Sequence, residues 1–354
     1  MTRPDGGAVF SLISIDTKTG HIRTIYKSSG HLLSPSVSSD GRRVAYAEGQ
    51  PEGALIEVGV PSGIASELLT MGGAVWSVDW APSGTHYLFA SDLEGESAIY
   101  DHNPQEHLTR RLITASSDYF PAKPSALYTP RWAPKGERFA FLASVAYSKK
   151  TFVAHTSGGR PVNIDPNADS FGASWSPDGL WIAYYRVVGN RPSKTQLAKI
   201  GTGVGETPTI IAAASEYLVP TLTTAWSPDG ESILYEAPDG LTITSVDGKR
   251  RRLVTSRRPA VAYGFSRNGS QVYAVTRNRS NDRSWDLFSV DVKTGVEKLL
   301  GPVNVSISGQ VLVGFSLHPD GKRFATSMTK YPYDLWMLEG FEQGEPWPYC
   351  LFGC

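Results

Sequence analysis

The sequence has little cysteine and no long apolar run, and each absence excludes a class of protein. Only Cys350 and Cys354 occur in the 354 residues, both at the very end, so a disulfide-dependent core is excluded. No apolar stretch reaches the ~18 residues that a membrane-spanning helix needs, so no span is predicted. The N-terminus also lacks the basic-then-apolar pattern of a secretory signal.

The sequence also lacks net charge and the local motifs of several enzyme classes. Lys and Arg total 34, as do Asp and Glu, so the charge balance does not point to nucleic acid as a partner. No His-Glu-x-x-His, Gly-x-Ser-x-Gly or Walker-type phosphate loop is present, which excludes the hydrolases and nucleotidases that carry them. The seven histidines are scattered, and we predict no metal and no other cofactor.

What the sequence does contain is one hairpin motif that occurs seven times. Each copy has an apolar first strand, a turn that ends in glycine, and an alternating apolar return strand. In SWSPDGLWIAYY, Pro177 presets φ, Asp178 bonds the backbone two residues on, and Gly179 takes a positive φ. The equivalent turn glycines are Gly41, Gly84, Gly136, Gly179, Gly230, Gly269 and Gly321.

The residues around these hairpins predict a β-propeller. A third strand follows each hairpin, and usually a fourth, most clearly at 286–300. A four-stranded antiparallel sheet of this size cannot bury both faces alone, so neighbouring sheets must stack. Radial stacking also removes exposed sheet edges. We therefore predict an all-β, seven-bladed propeller that forms a single domain over residues 1–342, followed by a C-terminal tail at 343–354.

Ring closure is predicted from the two chain ends. The stretch 10–20 mirrors the third strand at 287–295, so the N-terminal strands are predicted to complete the last blade. The stretch 333–341 also looks like a third strand of that blade. Two alternatives remain: one of these strands lies outside the ring, or the chain is a fragment whose upstream part is missing.

The repeated residues are predicted to have structural roles. Large first-strand residues are predicted to pack between adjacent sheets, and turn residues to shape the hairpins. The packing residues are Trp80, Trp132, Trp175, Trp226, Phe265 and Phe315; the turn residues are Asp178, Gly179, Asp229, Gly230, Asp320 and Gly321.

The hairpins at 175–184 and 226–235 resemble the WD-like repeat of TolB and of the tricorn protease propeller. Because the TolB propeller has six blades, the resemblance is to the repeat. The stretch 314–341 is similar to the ends of bacterial multidomain regulators, in which a propeller follows a protein kinase or a winged-helix domain. The resemblance implies a sensor or interaction module. Its compartment is extracytoplasmic if the chain is the tail of a membrane-anchored regulator, and otherwise cytoplasmic.

Function is predicted at the mouth of the ring, where the loops that lead into the first strands converge. Aromatic side chains with a few polar groups suit the capture of a protein, peptide or small ligand. The residues predicted to line this mouth are Tyr119, Phe120, Tyr128, Arg131, Phe171, Tyr217 and Tyr263. A basic run, Lys249, Arg250, Arg251 and Arg252, is predicted to be a solvated rim, with a phosphate or acidic-partner patch as the alternative.

A non-catalytic binding or sensing module is therefore the predicted function. The alternative is an enzyme with its site in the channel mouth, such as a polysaccharide lyase or hydrolase. That alternative requires His, Tyr, Arg and carboxylate side chains within hydrogen-bonding reach of one another.

Overall fold

The structure, a computed structural model, describes residues 10–120, 122–146, 148–189, 194–203, 205–213, 223–256, 260–278, 284–303, 311–330 and 332–340. Contacts divide the chain into two compact units. The ring unit is Glu52–Lys330, and the terminal unit combines Met1–Pro51 with Tyr331–Cys354. Sequence reasoning predicted one domain over residues 1–342; the predicted tail at 343–354 lies outside the described residues.

All regular secondary structure in the described residues is β-strand. None of it is a helix of the length and apolarity needed to cross a membrane. The first strands are β1 (Phe10–Ile15), β2 (Ile22–Ser28), β3 (His31–Val37), β4 (Arg43–Gly49), β5 (Glu52–Gly59), β6 (Ala65–Gly72), β7 (Val75–Trp80), β8 (Tyr87–Ser91), β9 (Ala98–Asn103), β10 (Leu108–Thr114), β11 (Ala126–Trp132), β12 (Arg138–Val145), β13 (Ser148–His155) and β14 (Val162–Asn163). The remaining strands are β15 (Asp169–Trp175), β16 (Trp181–Val188), β17 (Lys194–Gly201), β18 (Thr209–Ala213), β19 (Ala225–Trp226), β20 (Ser232–Ala237), β21 (Gly240–Ser245), β22 (Arg251–Thr255), β23 (Ala260–Phe265), β24 (Gln271–Arg277), β25 (Trp285–Asp291), β26 (Glu297–Val303), β27 (Val311–Leu317), β28 (Arg323–Lys330) and β29 (Tyr333–Glu339).

The ring unit consists of antiparallel sheets of four strands each. Blades 1 to 5 are formed by consecutive strands: β7–β10, β11–β14, β15–β18, β19–β22 and β23–β26. Blade 6 has the order β27-β28-β5-β6, so the two ends of the unit share one sheet. The first strand of each blade contacts the first strand of the next blade. The order of these contacts is β7, β11, β15, β19, β23 and β27, and β27 contacts β7 again. The described sheets of this unit therefore form a closed ring.

The turn of each hairpin has the geometry that its residues favour. In blade 3, the carboxylate of Asp178 accepts hydrogen bonds from Ser176 Oγ (2.5 Å) and from the backbone N–H of Leu180 (2.9 Å). The two bonds lower the pKa of Asp178. Gly179 has a φ of 73°, which favours glycine over residues with a side chain. Asp229 repeats the arrangement in blade 4, with bonds of 2.5 and 2.9 Å from Ser227 Oγ and the N–H of Glu231.

The innermost strands share a bulge that sequence reasoning did not predict. Seven residues before the turn glycine, the backbone takes a positive φ: 68° at Ser77, 43° at Thr129, 71° at Gly172 and 85° at Gly314. The strand pairing shifts register at the same place in each of these blades. A bulge bends its strand and increases the local twist. The repeated bulge therefore bends these four inner strands at the same level of the ring.

The terminal unit contains two smaller sheets. β1 and β2 form a hairpin, and β3, β4 and β29 form a three-stranded sheet with β4 in the centre. Leu12 and Tyr26 of the hairpin lie in one apolar cluster with Val44 and Tyr46 of the three-stranded sheet. The rings of Tyr26 and Tyr46 are 5.4 Å apart. The two sheets therefore pack face to face.

The predicted all-β propeller of four-stranded blades is confirmed, but the count of seven blades is not. The hairpin around Gly41 belongs to the three-stranded sheet of the terminal unit. N-terminal strands do complete the last blade, but these strands are β5 and β6, whereas the predicted strand at 10–15 pairs with β2. Sequence reasoning could not separate these alternatives because all third strands have similar alternating patterns.

Phe315 does not lie at the strand position shared by the other predicted packing residues. Trp80, Trp132, Trp175, Trp226 and Phe265 all lie four residues before the turn glycine and pair with the residue three after it. In blade 6 that position is Leu317, which pairs with Phe324. Phe315 is two residues earlier and stacks on Phe324, with a centroid distance of 4.6 Å. It lies in an apolar cluster with Ala262 and Val275 of blade 5, so it packs between adjacent sheets from a different strand position.

Candidate functional site

A cluster of aromatic and charged side chains lies where the inner strands of blades 1, 2 and 3 begin. The ring of Trp76, on β7, meets that of Tyr128, on β11, edge to face at 5.4 Å. The ammonium of Lys149, on β13, lies 4.7 Å from the centroid of the Tyr128 ring. Lys150 and Asp169 flank them, with 3.6 Å between Nζ and Oδ1. We call Trp76, Tyr128, Lys149, Lys150 and Asp169 the mouth cluster.

The two lysines of the mouth cluster differ in their partners. Lys150 Nζ donates to the carbonyl oxygen of Ala168 (2.7 Å) and faces Asp169. Lys149 lies over an aromatic ring, and among the described residues no carboxylate is within ion-pair distance of it. Burial lowers the pKa of Lys149, while the charge of Asp169 acts in the opposite direction. Lys149 is thus a partly desolvated cation whose contact in this cluster is a π face.

Tyr128 is the predicted residue at the centre of this cluster. It is half-buried, and burial raises the pKa of its phenol. Phe171 is two residues after Asp169 on β15 and stacks on Tyr185, with centroids 5.6 Å apart. Trp76, Tyr128 and Phe171 each lie eight residues before the turn glycine of their blades. Counting back from the glycines was therefore a signal that could have found Trp76. Lys149 has no such signal, because it is on a third strand.

The structure places other predicted mouth residues elsewhere. Phe120 is 6% exposed in the core between blades 1 and 2, edge-on to Phe152 at 5.3 Å. Tyr263 is buried, and its hydroxyl donates to the carbonyl oxygen of Thr223 (2.6 Å). Tyr119 is exposed in the loop before β11. Tyr217 lies outside the described residues.

Arg131 lies toward the far end of β11, where it joins blade 2 to blade 1. Its Nη1 is 3.5 Å from Asp79 Oδ1 and donates to the carbonyl oxygen of Val78 (3.2 Å). Asp79 Oδ2 in turn accepts the backbone N–H of Trp132 (2.7 Å). Burial raises the pKa of Asp79, although Arg131, the Trp132 N–H and Ser316 oppose the shift. Ser316 Oγ makes the corresponding bond to the N–H of Trp80 (2.8 Å).

Two of the four charges of the basic run at 249–252 are paired with carboxylates. Arg251 contacts Asp239 (2.5 Å), and Lys249 is 3.5 Å from Asp247. Arg252 donates to the carbonyl oxygen of Lys293 (3.3 Å). Lys249, Arg250 and Arg251 are exposed, and the interpretation of this run as a rim stays a prediction.

A concave cleft lies at the opposite end of the strands, between blades 3 and 4. This cleft of about 270 Å³ is lined by the two turns and by Trp181, Lys199 and Trp226. The Lys199 ammonium is 5.1 Å from the centroid of the Trp181 ring. The carboxylates of Asp178 and Asp229, which also line it, are already bonded within their own turns. Nowhere in the described residues do three or more His, Cys, Asp or Glu side chains form a group that could hold a metal ion.

Comparison with known proteins identifies the fold. No protein-family model matches the sequence, and no curated protein is significantly similar to it. The structure of a TolB from Agrobacterium tumefaciens is similar with a TM-score of 0.61 and 18% identity, over 79% of this chain and 98% of that chain. A structure of a nidogen/laminin complex is similar with a TM-score of 0.53 and 11% identity, over 75% and 97% of the chains. An oligogalacturonate lyase in complex with manganese has a TM-score of 0.49 and 10% identity, over 82% and 77%.

The fold is thus a TolB-like β-propeller. At these identities the first two similarities show the architecture alone, and the third, with its lower TM-score, carries no argument about activity.

Proposed function

We propose that this chain is a non-catalytic binding propeller, an interaction or sensor module of a bacterial regulator or envelope protein. Its mouth cluster would bind an acidic segment of a protein partner. The observation that carries the proposal is Lys149, a half-buried ammonium over the ring of Tyr128. Because this cation is partly desolvated, an incoming carboxylate gains a charge-assisted hydrogen bond there. The TolB-like fold supports a protein as the partner.

The rest of the mouth cluster supplies surface for such a segment. Trp76 and Tyr128 are both half-buried and meet edge to face, so their remaining exposed surface is available to apolar side chains of a peptide. Aromatic residues with a few placed charges are typical of interfaces that hold their partner by a few anchors.

Charged groups that catalysis would use are instead engaged in pairs. Asp165 accepts from Arg186 Nε (2.7 Å) and from the hydroxyl of Tyr184 (2.9 Å). Arg131 and Asp79 form the joint between blades 1 and 2. These groups have positions fixed by the protein itself, which supports binding over the enzymatic alternative.

A displayed library of random heptapeptides tests the proposal. We expect the chain to enrich peptides that contain Asp or Glu beside an apolar residue. Lys149→Met should weaken a selected peptide at least tenfold in fluorescence polarisation, because the ammonium is lost while the stem volume is kept. Lys149→Arg should bind within a few fold of the wild type, and added salt should weaken wild-type binding.

Lys199→Met is the matched control, since Lys199 makes the same kind of cation–π contact in the cleft at the other end of the strands. It should bind like the wild type. Selected peptides without acidic residues, or equal binding by Lys149→Met, would contradict the proposal.

A further inference from the structure

The two sheets of the terminal unit correspond to parts of two consecutive propeller blades. β1 and β2 have the order and sequence pattern of third and fourth strands, and β3 and β4 form the repeated hairpin. β29 then pairs with β4 as a third strand. In chain order, β1 and β2 correspond to the last two strands of one blade, and β3 and β4 to the first two strands of the next. The whole ring unit, β5 to β28, then follows, and β29 comes last as the third strand beside β4.

The ring unit shows which face of a hairpin meets which neighbour. In blade 3, Ile182 and Tyr184, three and five residues after Gly179, lie in an apolar cluster with residues of blade 2. Ala183 and Tyr185, four and six residues after the glycine, lie in a cluster with residues of blade 4. Odd offsets therefore face the preceding blade, and even offsets face the following one.

The same count applies to the three-stranded sheet of the terminal unit. Val44 and Tyr46, three and five residues after Gly41, are buried against the β1–β2 hairpin. The hairpin therefore occupies the place of the preceding blade. Ala45 and Ala47, at the even offsets, lie on the opposite face, where a following blade would pack.

That opposite face is apolar and exposed. Leu335 pairs with Ala47 and Met337 with Ala45, on the β29 side, and their exposed fractions are 83% and 61%. Leu33 pairs with Ala47 from the β3 side and is 44% exposed. We call Leu33, Ala45, Ala47, Leu335 and Met337 the forward face.

The β1–β2 hairpin has an exposed apolar face of the complementary kind. Ile13, Ile15 and Ile22 are 45%, 55% and 59% exposed, while Leu12 and Tyr26 point to the three-stranded sheet. We call Ile13, Ile15 and Ile22 the backward face. A contiguous apolar surface that stays exposed is typical of an interaction site.

We propose that the terminal unit binds a second copy of this chain, with the forward face of one copy against the backward face of the next. The forward face corresponds to the side of a blade that packs on the following blade, and the backward face to the side that packs on the preceding one. The contact would therefore continue the packing that already exists within each copy between the β1–β2 hairpin and the three-stranded sheet. Such a contact is heterologous, so it adds copies head to tail, either into a closed ring or into an open filament.

Sedimentation velocity of the full chain from 1 to 200 µM tests this proposal. We expect the wild type to gain mass with concentration. Leu335→Lys/Met337→Lys removes the forward face, Ile13→Lys/Ile22→Lys removes the backward face, and each variant should be monomeric. Because all four side chains are exposed, the folded strand spectrum should be unchanged.

Mixing the two variants distinguishes head-to-tail pairing from other modes. Each retains the face that the other lacks, so a 1:1 mixture should form a heterodimer that grows no further. Leu180→Lys, at a 60% exposed leucine of the ring unit, should associate like the wild type. A monomeric wild type, a mixture that stays monomeric, or self-association by either face variant would overturn the proposal.

Discussion

Replacing Arg131 with methionine tests whether this residue stabilises the contact between blades 1 and 2 or serves to bind a ligand. The Arg131 side chain is 10% exposed, and its guanidinium lies 3.5 Å from Asp79 and donates to the carbonyl oxygen of Val78. Its removal leaves the carboxylate of Asp79, 15% exposed, with the Trp132 N–H as a remaining donor. Breaking a buried pair on one side costs about 3–5 kcal/mol. We expect Arg131→Met to lower the free energy of unfolding by about 3 kcal/mol.

The sign of the pH dependence is a second test. Burial already raises the folded-state pKa of Asp79, and loss of Arg131 raises it further. The folded variant then binds a proton more readily than the unfolded chain. The destabilisation relative to the wild type is full above the folded-state pKa of the variant and decreases as the pH falls through it toward the lower folded-state pKa of the wild type. Urea unfolding of wild type and variant, followed by tryptophan fluorescence, should show a smaller difference at pH 5 than at pH 8.

Asp79→Asn/Arg131→Met is the matched variant for this experiment. The amide oxygen still accepts the N–H of Trp132 and carries no charge, so most of the lost stability should return. A single variant that costs less than about 1 kcal/mol, or a double variant no more stable than Arg131→Met, would refute the buried-pair reasoning.

Three further perturbations follow from local geometry. Ala146 is exposed in a hairpin turn with a φ of 46°, which strains a residue with a side chain, so Ala146→Gly should raise the free energy of unfolding by about 1 kcal/mol in urea. A lower free energy of unfolding would contradict the strain at this residue. Asp178→Ala should cost about 1 kcal/mol at pH 7, since its turn bonds are lost. Because those bonds lower the folded-state pKa of Asp178, the cost should begin to fall below its unfolded pKa and vanish as the pH passes through the folded-state pKa; Asp178→Asn, which keeps an oxygen acceptor, should cost less at pH 7 than Asp178→Ala. Residues 52–330 alone should unfold cooperatively by circular dichroism, because the described sheets of this unit have all their strands within it; a chain without β27 and β28 should not.

The hairpin turns could be predicted because their geometry depends on residues that are adjacent in the sequence. The turn at 176–179 needs its hydroxyl, proline, carboxylate and glycine in that order, and its hydrogen bonds repeat in blade 4. Trp175 and Trp226 could be aligned for the same reason. Where the spacing changed by two residues, as at Phe315, the alignment failed, although both Phe315 and Leu317 are apolar.

Much less of the candidate site could be predicted. Tyr128 is in the mouth cluster, but aromatic type alone did not separate it from Phe120 and Tyr263, whose rings are buried between blades. Lys149 comes from a third strand, and its contact with Tyr128 depends on the pairing of β11, β12 and β13. A contact set by strand register is visible only when the register is known.

The pairing that closes the ring joins strands that are far apart in the sequence. β28 pairs with β5 across more than 260 residues of chain, although β29, immediately after β28, has a similar pattern. The entropy of closing a loop grows only with the logarithm of its length, so the long connection adds a small cost. Pairing β5 and β6 with β27 and β28 completes a four-stranded blade and removes an edge of the ring unit. β29 then pairs with β4 in a sheet of three strands, which is why the apolar forward face appears in the terminal unit and not in the ring.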